Sequence, residues 1–97
     1  MTSIEKNPKQ AEVIVYSSDY CPYCDAAKNL LMQRGVVFEE IDVGADPEQR
    51  KIMLEKAAPR RTVPQIFISD EAIGGFDDLN ALDKASELEA KLFPEGR

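Results

Sequence analysis

The sequence predicts an α/β domain built on a four-stranded mixed sheet with helices on both faces. Residues 13–17 (VIVYS) and 36–43 (VVFEEIDV) are short runs rich in β-branched and other apolar residues, which favour strands. The helix-favouring segment between them completes a β-α-β unit, whose two strands pair in parallel. Residues 65–69 and 72–74 form two further short runs around a two-residue break, which indicates an antiparallel hairpin. One parallel and one antiparallel pairing make the sheet mixed.

Three helices complete the prediction. The first spans residues 22–34, with proline in its first turn, where the free N–H is not needed, and glycine directly after its end. The second begins at Asp46, because an Asp N-cap followed by proline is a strong start signal, and it ends before Pro59. The last runs from residue 77 or 78 to about residue 92, with leucines repeating along one face.

Length, charge and the first ten residues limit the possible classes of protein. The chain has 97 residues, enough for one domain, and a net charge of −6, which argues against the basic surfaces of nucleic-acid binders. The start, MTSIEKNPKQ, lacks the apolar core of a signal peptide, and no apolar run approaches the length of a membrane helix. We therefore expect a flexible tail at residues 1–10, a folded domain at residues 11–97 and a cytoplasmic protein that binds no membrane.

The chain contains two cysteines and no histidine. A structural zinc site needs about four Cys or His ligands, so one chain could supply only half of such a site. Without histidine, no Cys–His or Ser–His nucleophile–base pair can form. Any activation of a cysteine must therefore come from backbone dipoles and neighbouring cations.

The two cysteines, Cys21 and Cys24, lie at the start of the first predicted helix. The N–H groups of a helix start favour a thiolate at the first position, and the second position, one turn into the helix, suits a resolving thiol. A Cys-x-x-Cys pair that follows a strand and opens a helix is typical of redox sites. The alternatives are a stabilising disulfide, an inert core pair and half of a metal site.

Three segments together resemble a known family. YSSDYCPYC, RTVPQIFI and IGGFDDL, at their separations in this chain, resemble the dithiol glutaredoxins, and the resemblance covers roughly residues 12–92. It implies the thioredoxin-like fold and a cis peptide bond between Val63 and Pro64. The GG-x-D segment distinguishes glutaredoxins from thioredoxins, which typically carry CGPC and lack it.

The resemblance also implies a glutathione groove. It places the glutathione contacts at Tyr23, Lys51, Arg61, Thr62, Val63, Pro64, Gly75, Phe76, Asp77 and Asp78. The start of the last helix suits the γ-glutamyl carboxylate, and an Asp side chain there suits the adjacent ammonium group. Many members carry lysine where this chain has Ser18, so the cation for the glycyl carboxylate is left open between Lys51 and the Arg60–Arg61 pair.

The function that the resemblance implies is glutathione-dependent reduction of protein–glutathione mixed disulfides and of protein disulfides, with Cys21 as nucleophile and Cys24 as resolving cysteine. Glutathione is then a co-substrate, no cofactor is tightly bound, and we expect a monomer. Two alternatives remain: a dimer holding a [2Fe–2S] cluster with two glutathiones, and a thioredoxin-type reductant recycled by a flavoprotein.

Overall fold

The computed structural model describes residues 9–96, which form one sheet with four helices. The predicted tail therefore lies, for residues 1–8, outside the described residues. Gln10 is buried, and its amide donates to the Val37 carbonyl at 2.7 Å and accepts from the Val37 N–H at 3.1 Å. Gln10, the last residue of the predicted tail, therefore packs with the folded domain.

The sheet has four strands in the order β2-β1-β3-β4. The strands are β1 (Val13–Ser17), β2 (Glu39–Asp42), β3 (Gln65–Ile68) and β4 (Glu71–Gly74). β1 pairs in parallel with β2, and both β1–β3 and β3–β4 are antiparallel. This arrangement confirms the predicted mixed sheet with its β-α-β unit and terminal hairpin.

The helices cover both faces of the sheet, as predicted. They are α1 (Pro22–Gln33), α2 (Pro47–Ala57), α3 (Phe76–Lys84) and α4 (Leu88–Leu92). Along β1, Val13 and Val15 pack in one core cluster with residues from α1, α3 and α4, whereas Tyr16 packs in a second cluster with residues from α2. Because successive strand residues point to opposite faces, one strand supplies both cores. In the part of the chain described, no helix is long and apolar enough to cross a bilayer.

The predicted last helix is wrong in its continuity and in its first residue. The segment forms two helices, because Ser86 adopts a left-handed conformation (φ 61°) and the Glu87 N–H turns back to the Leu82 carbonyl at 2.8 Å. The leucine repeat survives this break, since Leu88 and Leu92 still reach the core that Leu79 enters from α3. The first of the two helices begins at Phe76 with Gly75 as its N-cap.

Two strand boundaries also differ from the prediction. Residues 36–38 are not in a strand, because the Val36 N–H bonds to the Leu31 carbonyl at 3.1 Å and closes the end of α1. The hairpin turn lies at Ser69 and Asp70, one residue before the predicted break. Both turn residues have positive φ (49° and 65°), the conformation that a two-residue type I′ turn requires.

Candidate functional site

The topology brings three separate segments to one edge of the sheet. β1 ends there and is followed by the loop that carries Cys21. β3 is antiparallel to β1, with Gln65 opposite Tyr16, so the segment before Gln65 reaches the same edge. β4 returns antiparallel to β3 and ends at Gly74 opposite Ile66, which places the start of α3 beside both. The predicted motifs, far apart in sequence, therefore meet at this edge.

Cys21 is the N-cap residue of α1. Its backbone is extended (φ −119°, ψ 97°), Pro22 follows at the first helical position, and its sulfur accepts the Cys24 N–H at 3.1 Å. The free N–H groups of a helix start carry partial positive charge, which favours an anion at the cap. In the reduced protein, this sulfur is therefore placed where a thiolate is stabilised.

The two cysteines differ in access to solvent. They are joined as a disulfide with their Cα atoms 5.2 Å apart. Cys21 is partly exposed, whereas Cys24 is fully buried in the first turn of α1. A sulfur on an incoming molecule can reach Cys21 and cannot reach Cys24 directly. The arrangement fits an attacking cysteine and an internal resolving cysteine.

A groove of about 290 Å³ opens beside this helix start. It is lined by Tyr23, Arg60, Thr62, Val63, Pro64, Gly75, Phe76 and Asp77. The Tyr23 ring, 63% exposed, stacks on Phe76 with the ring centroids 6.4 Å apart. Seven of the ten predicted glutathione contacts thus line one cavity, and the eighth lining residue is Arg60.

The wall opposite α1 is the segment before β3. The Val63–Pro64 peptide bond is cis, which confirms that prediction, and Ala58–Pro59 is also cis. Gln65 is buried, and its side-chain amide donates to the Thr62 carbonyl at 2.9 Å. This bond holds the segment in place against the end of β3. This role of Gln65 is not indicated by the sequence, since its position in a predicted strand suggests only pairing.

Asp78 and the two other predicted contacts lie outside the groove lining. The Asp78 carboxylate accepts the Gly75 N–H at 3.0 Å and the Arg60 Nη1 at 2.5 Å. The Arg60 hydrogen bond, followed by the Gly75 N–H, lowers the pKa of Asp78 below its ordinary value. Lys51 and Arg61 are exposed and do not line the groove. Asp78 therefore closes the start of α3 and positions Arg60 rather than lining the cavity.

Gly74 makes room for this ion pair. Its φ is +115°, and a Cβ built there would collide with the Arg60 guanidinium and come within 2.8 Å of the Asp78 Cγ. A side chain at this position would also be strained by the backbone conformation. The first glycine of the GG pair is thus required by the protein's own packing.

A larger cavity, of about 450 Å³, lies between β4, α3 and α4. Its lining includes Ile73, Leu82 and the Glu71–Lys91 ion pair, and neither cysteine contributes to it. Among residues 9–96, no three His, Cys, Asp or Glu side chains lie close enough together to hold a metal ion. The smaller groove, which adjoins the Cys21 helix start, is therefore the candidate functional site.

Comparisons with known proteins agree on one family. The glutaredoxin family model matches residues 13–73. A glutaredoxin of Pseudomonas aeruginosa is 46% identical over 80 residues, which cover 82% of this chain and 94% of the relative. The solution structure of a Brucella melitensis glutaredoxin superposes with a TM-score of 0.77 at 44% identity, covering 90% of this chain and 95% of the other. A buckwheat glutaredoxin, solved in complex with glutathione, has a TM-score of 0.75 at 30% identity, covering 84% and 76%.

Proposed function

The chain belongs to the glutaredoxin family and is a glutathione-dependent dithiol oxidoreductase, and we propose that the groove beside Cys21 is its glutathione site. The observation that carries the proposal is the meeting of the Cys21 helix start, Thr62–Pro64 and the α3 start around one cavity. Glutathione that fills this groove can bring its sulfur to Cys21 while its two charged ends reach the walls.

In the first half of the reaction, the Cys21 thiolate attacks the glutathione sulfur of a mixed disulfide. A bond forms between the two sulfurs, and the partner leaves as a thiolate that takes a proton from water. A second glutathione thiolate then attacks the glutathione sulfur on Cys21. This step releases glutathione disulfide and restores the Cys21 thiolate. The net reaction converts a mixed disulfide and glutathione into a thiol and glutathione disulfide.

With a protein disulfide, the buried Cys24 takes part. Cys21 attacks one sulfur of the disulfide, and the second protein sulfur leaves as a thiolate. The Cys24 thiolate then attacks the Cys21 sulfur, forms the Cys21–Cys24 disulfide seen in the structure, and frees the protein sulfur that Cys21 had attacked. Two glutathiones supply the two electrons that reduce this disulfide. The 5.2 Å between the two Cα atoms lies within the usual range for a disulfide.

The γ-glutamyl end of glutathione is assigned to the start of α3. The first amides of an α-helix have no partner within the helix, so those of Phe76 and Asp77 suit the carboxylate. The exposed Asp77 side chain, which lines the groove, suits the ammonium group beside it. Asp78 acts indirectly, through Gly75 and Arg60.

The glycyl carboxylate is assigned to Arg60. This residue is the basic side chain in the groove lining, and Asp78 holds its guanidinium in position while half of the side chain stays exposed. A guanidinium can bind two carboxylates at once because it has five N–H donors. Lys51 and Arg61, the other candidates from the sequence, are the natural controls for this assignment.

The test is steady-state turnover of the mixed disulfide of glutathione and 2-mercaptoethanol, coupled to glutathione reductase and NADPH. Arg60→Gln and Asp77→Asn each remove one charge-assisted hydrogen bond, and we expect the KM for glutathione to rise roughly five- to tenfold. Lys51→Gln and Arg61→Gln should change it less than about twofold, as expected for exposed charges. A larger effect at Lys51 or Arg61 than at Arg60 would assign the glycyl carboxylate to that residue instead. An unchanged KM for glutathione in both Arg60→Gln and Asp77→Asn would contradict the assignment of the groove as the glutathione site.

We place the protein in the cytoplasm as a monomer that acts on glutathionylated and disulfide-containing proteins and transfers electrons from glutathione to them. The cytoplasm keeps thiols reduced and supplies the glutathione that both half-reactions consume. Sedimentation velocity of the reduced protein tests the monomer: a mass of two chains would contradict it. Fractionation of cells that express the protein tests the location.

A further inference from the structure

Tyr20 is the most exposed large apolar side chain in the described part of the chain. Its relative accessibility is 102%, so the ring touches essentially nothing, and the side chain makes no ring contact or hydrogen bond within residues 9–96. Its backbone is left-handed, with φ at 57°. This residue directly precedes Cys21 and sits at the end of the loop that leads from β1 into α1.

Neither property of Tyr20 stabilises the domain. A left-handed backbone is costly for a bulky residue and suits glycine or asparagine better. An exposed aromatic ring gains no burial energy in the free protein. The other aromatic residue near the cysteines, Tyr23, behaves differently, because it stacks on Phe76 and lines the groove. Tyr20 does not line the groove.

We propose that Tyr20 is a docking residue for the polypeptide that is displaced from the glutathione sulfur when Cys21 attacks it, and that it makes the enzyme favour protein substrates over small ones. This inference rests on the proposed glutathione groove. If glutathione occupies the groove on the Tyr23 side, the thiol bonded to it departs outside that groove. A polypeptide attached to this thiol then meets the exposed surface next to Cys21, where Tyr20 stands.

The partner that suits this surface is a polypeptide with apolar side chains next to its cysteine. A tyrosine ring gives a large contact area with few rotatable bonds, which is why tyrosine is frequent among the residues that dominate interface energy. A small thiol has no atoms that could cover the ring. The ring therefore favours polypeptide substrates over small thiols.

Two substrates distinguish contacts with the departing polypeptide from contacts with glutathione in the groove. Both carry the same glutathionyl group, one on 2-mercaptoethanol and one on the single free cysteine of serum albumin. Tyr20→Asn removes the ring and keeps a residue that tolerates the left-handed backbone. We expect it to lower kcat/KM about five- to tenfold for glutathionylated albumin and less than about twofold for the small substrate. Tyr20→Phe should keep wild-type values for both substrates.

The control is Met32→Ala. Met32 is 55% exposed and lies near the far end of α1, about 16 Å along the helix from Cys21. It should leave both substrates unchanged, and the melting temperature and Cys21 alkylation rate of Tyr20→Asn should match wild type. Equal losses on both substrates, no loss on either, or the same loss in Met32→Ala would each overturn the role of Tyr20. Failure of the wild-type protein on the small substrate would instead contradict the proposed function.

Discussion

The starts of α1 and α2 are built in the same way and have different roles. Each begins with an extended N-cap residue, Cys21 (φ −119°, ψ 97°) or Asp46 (φ −131°, ψ 97°), and each has proline in the next position. In both, the cap side chain accepts the N–H three residues on, at 3.1 Å from Cys24 and 3.2 Å from Gln49. Each cap places an anionic or potentially anionic atom on the helix start.

What differs is the atom at the cap and what surrounds it. The carboxylate of Asp46 has no redox chemistry, and α2 packs on the opposite face of the sheet from α1. Cys21 places a sulfur in the cap, has a second sulfur one turn along, and adjoins the groove. Both helix starts can therefore stabilise an anion. The thiol pair and the adjoining groove are what make the start of α1 an active site.

The largest predicted effect comes from replacing each N-cap residue with serine in a separate variant. Serine is as good an N-cap as aspartate, so Cys21→Ser and Asp46→Ser should each change the free energy of unfolding little. Cys21→Ser should nevertheless abolish turnover, because no other accessible thiol is present among residues 9–96. Asp46→Ser should keep wild-type turnover. Residual activity above a few per cent of wild type in Cys21→Ser would mean that the two cysteines have been given the wrong roles.

The next effect separates the two sulfurs of α1. Cys24→Ser keeps the attacking thiolate and removes the internal resolving thiol. We expect it to retain most turnover of the small glutathione mixed disulfide and to lose at least about tenfold on a protein disulfide, since that branch requires Cys24. Parallel assays of both substrates with one enzyme preparation give the ratio directly. Equal loss on both would argue against glutathione as the resolving thiol.

The contrast between the helix starts also shows what the sequence could predict. The Asp46 cap and the Cys21 position were both predicted correctly, because capping depends on residues within one turn. The parallel β1–β2 pair and the β3–β4 hairpin followed from the order of strands and helices, whereas the antiparallel β1–β3 pair that joins them was not predicted. The break at Ser86 was missed, because the leucine repeat on either side of it continues with helical spacing.

Interactions between distant segments limit how much of the site can be predicted from the sequence. Arg60 and Asp78 are 18 residues apart, and their ion pair depends on the space over Gly74, which only the folded structure shows. The sequence does not show which of Arg60 and Arg61 faces the glycyl carboxylate, since neighbouring residues face different directions. Nor does it distinguish Asp77 from Asp78, although the structure places Asp77 in the groove lining and Asp78 against Arg60.

A third prediction tests whether the helix start alone lowers the pKa of a thiol. In reduced Cys24→Ser, the pKa of Cys21 should fall from the usual value of about 8.5 into the range of about 3.5–7.5. The same test at α2 uses Asp46→Cys in a Cys21→Ser/Cys24→Ser background. Its single thiol should also have a lowered pKa, because the cap geometry is the same, and yet show no disulfide reductase activity.

The rate of iodoacetamide alkylation against pH measures both thiols. If the Asp46→Cys thiol titrates at or above about 8.5 while Cys21 titrates low, the lowering at Cys21 comes from its surroundings other than the helix start. If Cys21 itself titrates at or above that value, the helix start does not activate it.

A fourth, smaller effect is the energetic contribution of the cap at α2. Asp46→Ala leaves the Gln49 N–H without its side-chain acceptor and should destabilise the protein by about 1 kcal/mol. In a domain of this size, that loss lowers the melting temperature by about 4–8 °C. Calorimetry measures it, with Asp46→Ser as the control that restores the acceptor. Loss of turnover at a temperature where Asp46→Ala is folded would contradict the conclusion that the start of α2 contributes to stability and not to catalysis.

The smallest predicted effect is a change of stability with acid pH at the start of α3. There the Asp78 carboxylate, in the first turn of the helix, accepts the N–H of the N-cap residue Gly75. Its pKa is lowered chiefly by the Arg60 hydrogen bond, then by the Gly75 N–H, so the folded state binds its proton less tightly than the unfolded chain does. A lowered carboxyl pKa stabilises the fold above the unfolded value of about 3.9, and this contribution is lost as the pH falls through the folded pKa. Both side chains are about half exposed to solvent, which screens the ion pair, so the contribution is under about 1 kcal/mol.

Asp78→Asn should therefore be slightly less stable than wild type in urea at pH 7, and the difference should shrink by pH 3. Asp46→Asn gives the comparison at α2, where the cap carboxylate pairs with no arginine among residues 9–96. A gap between Asp78→Asn and wild type that widens on acidification would mean that the carboxylate does not stabilise the fold.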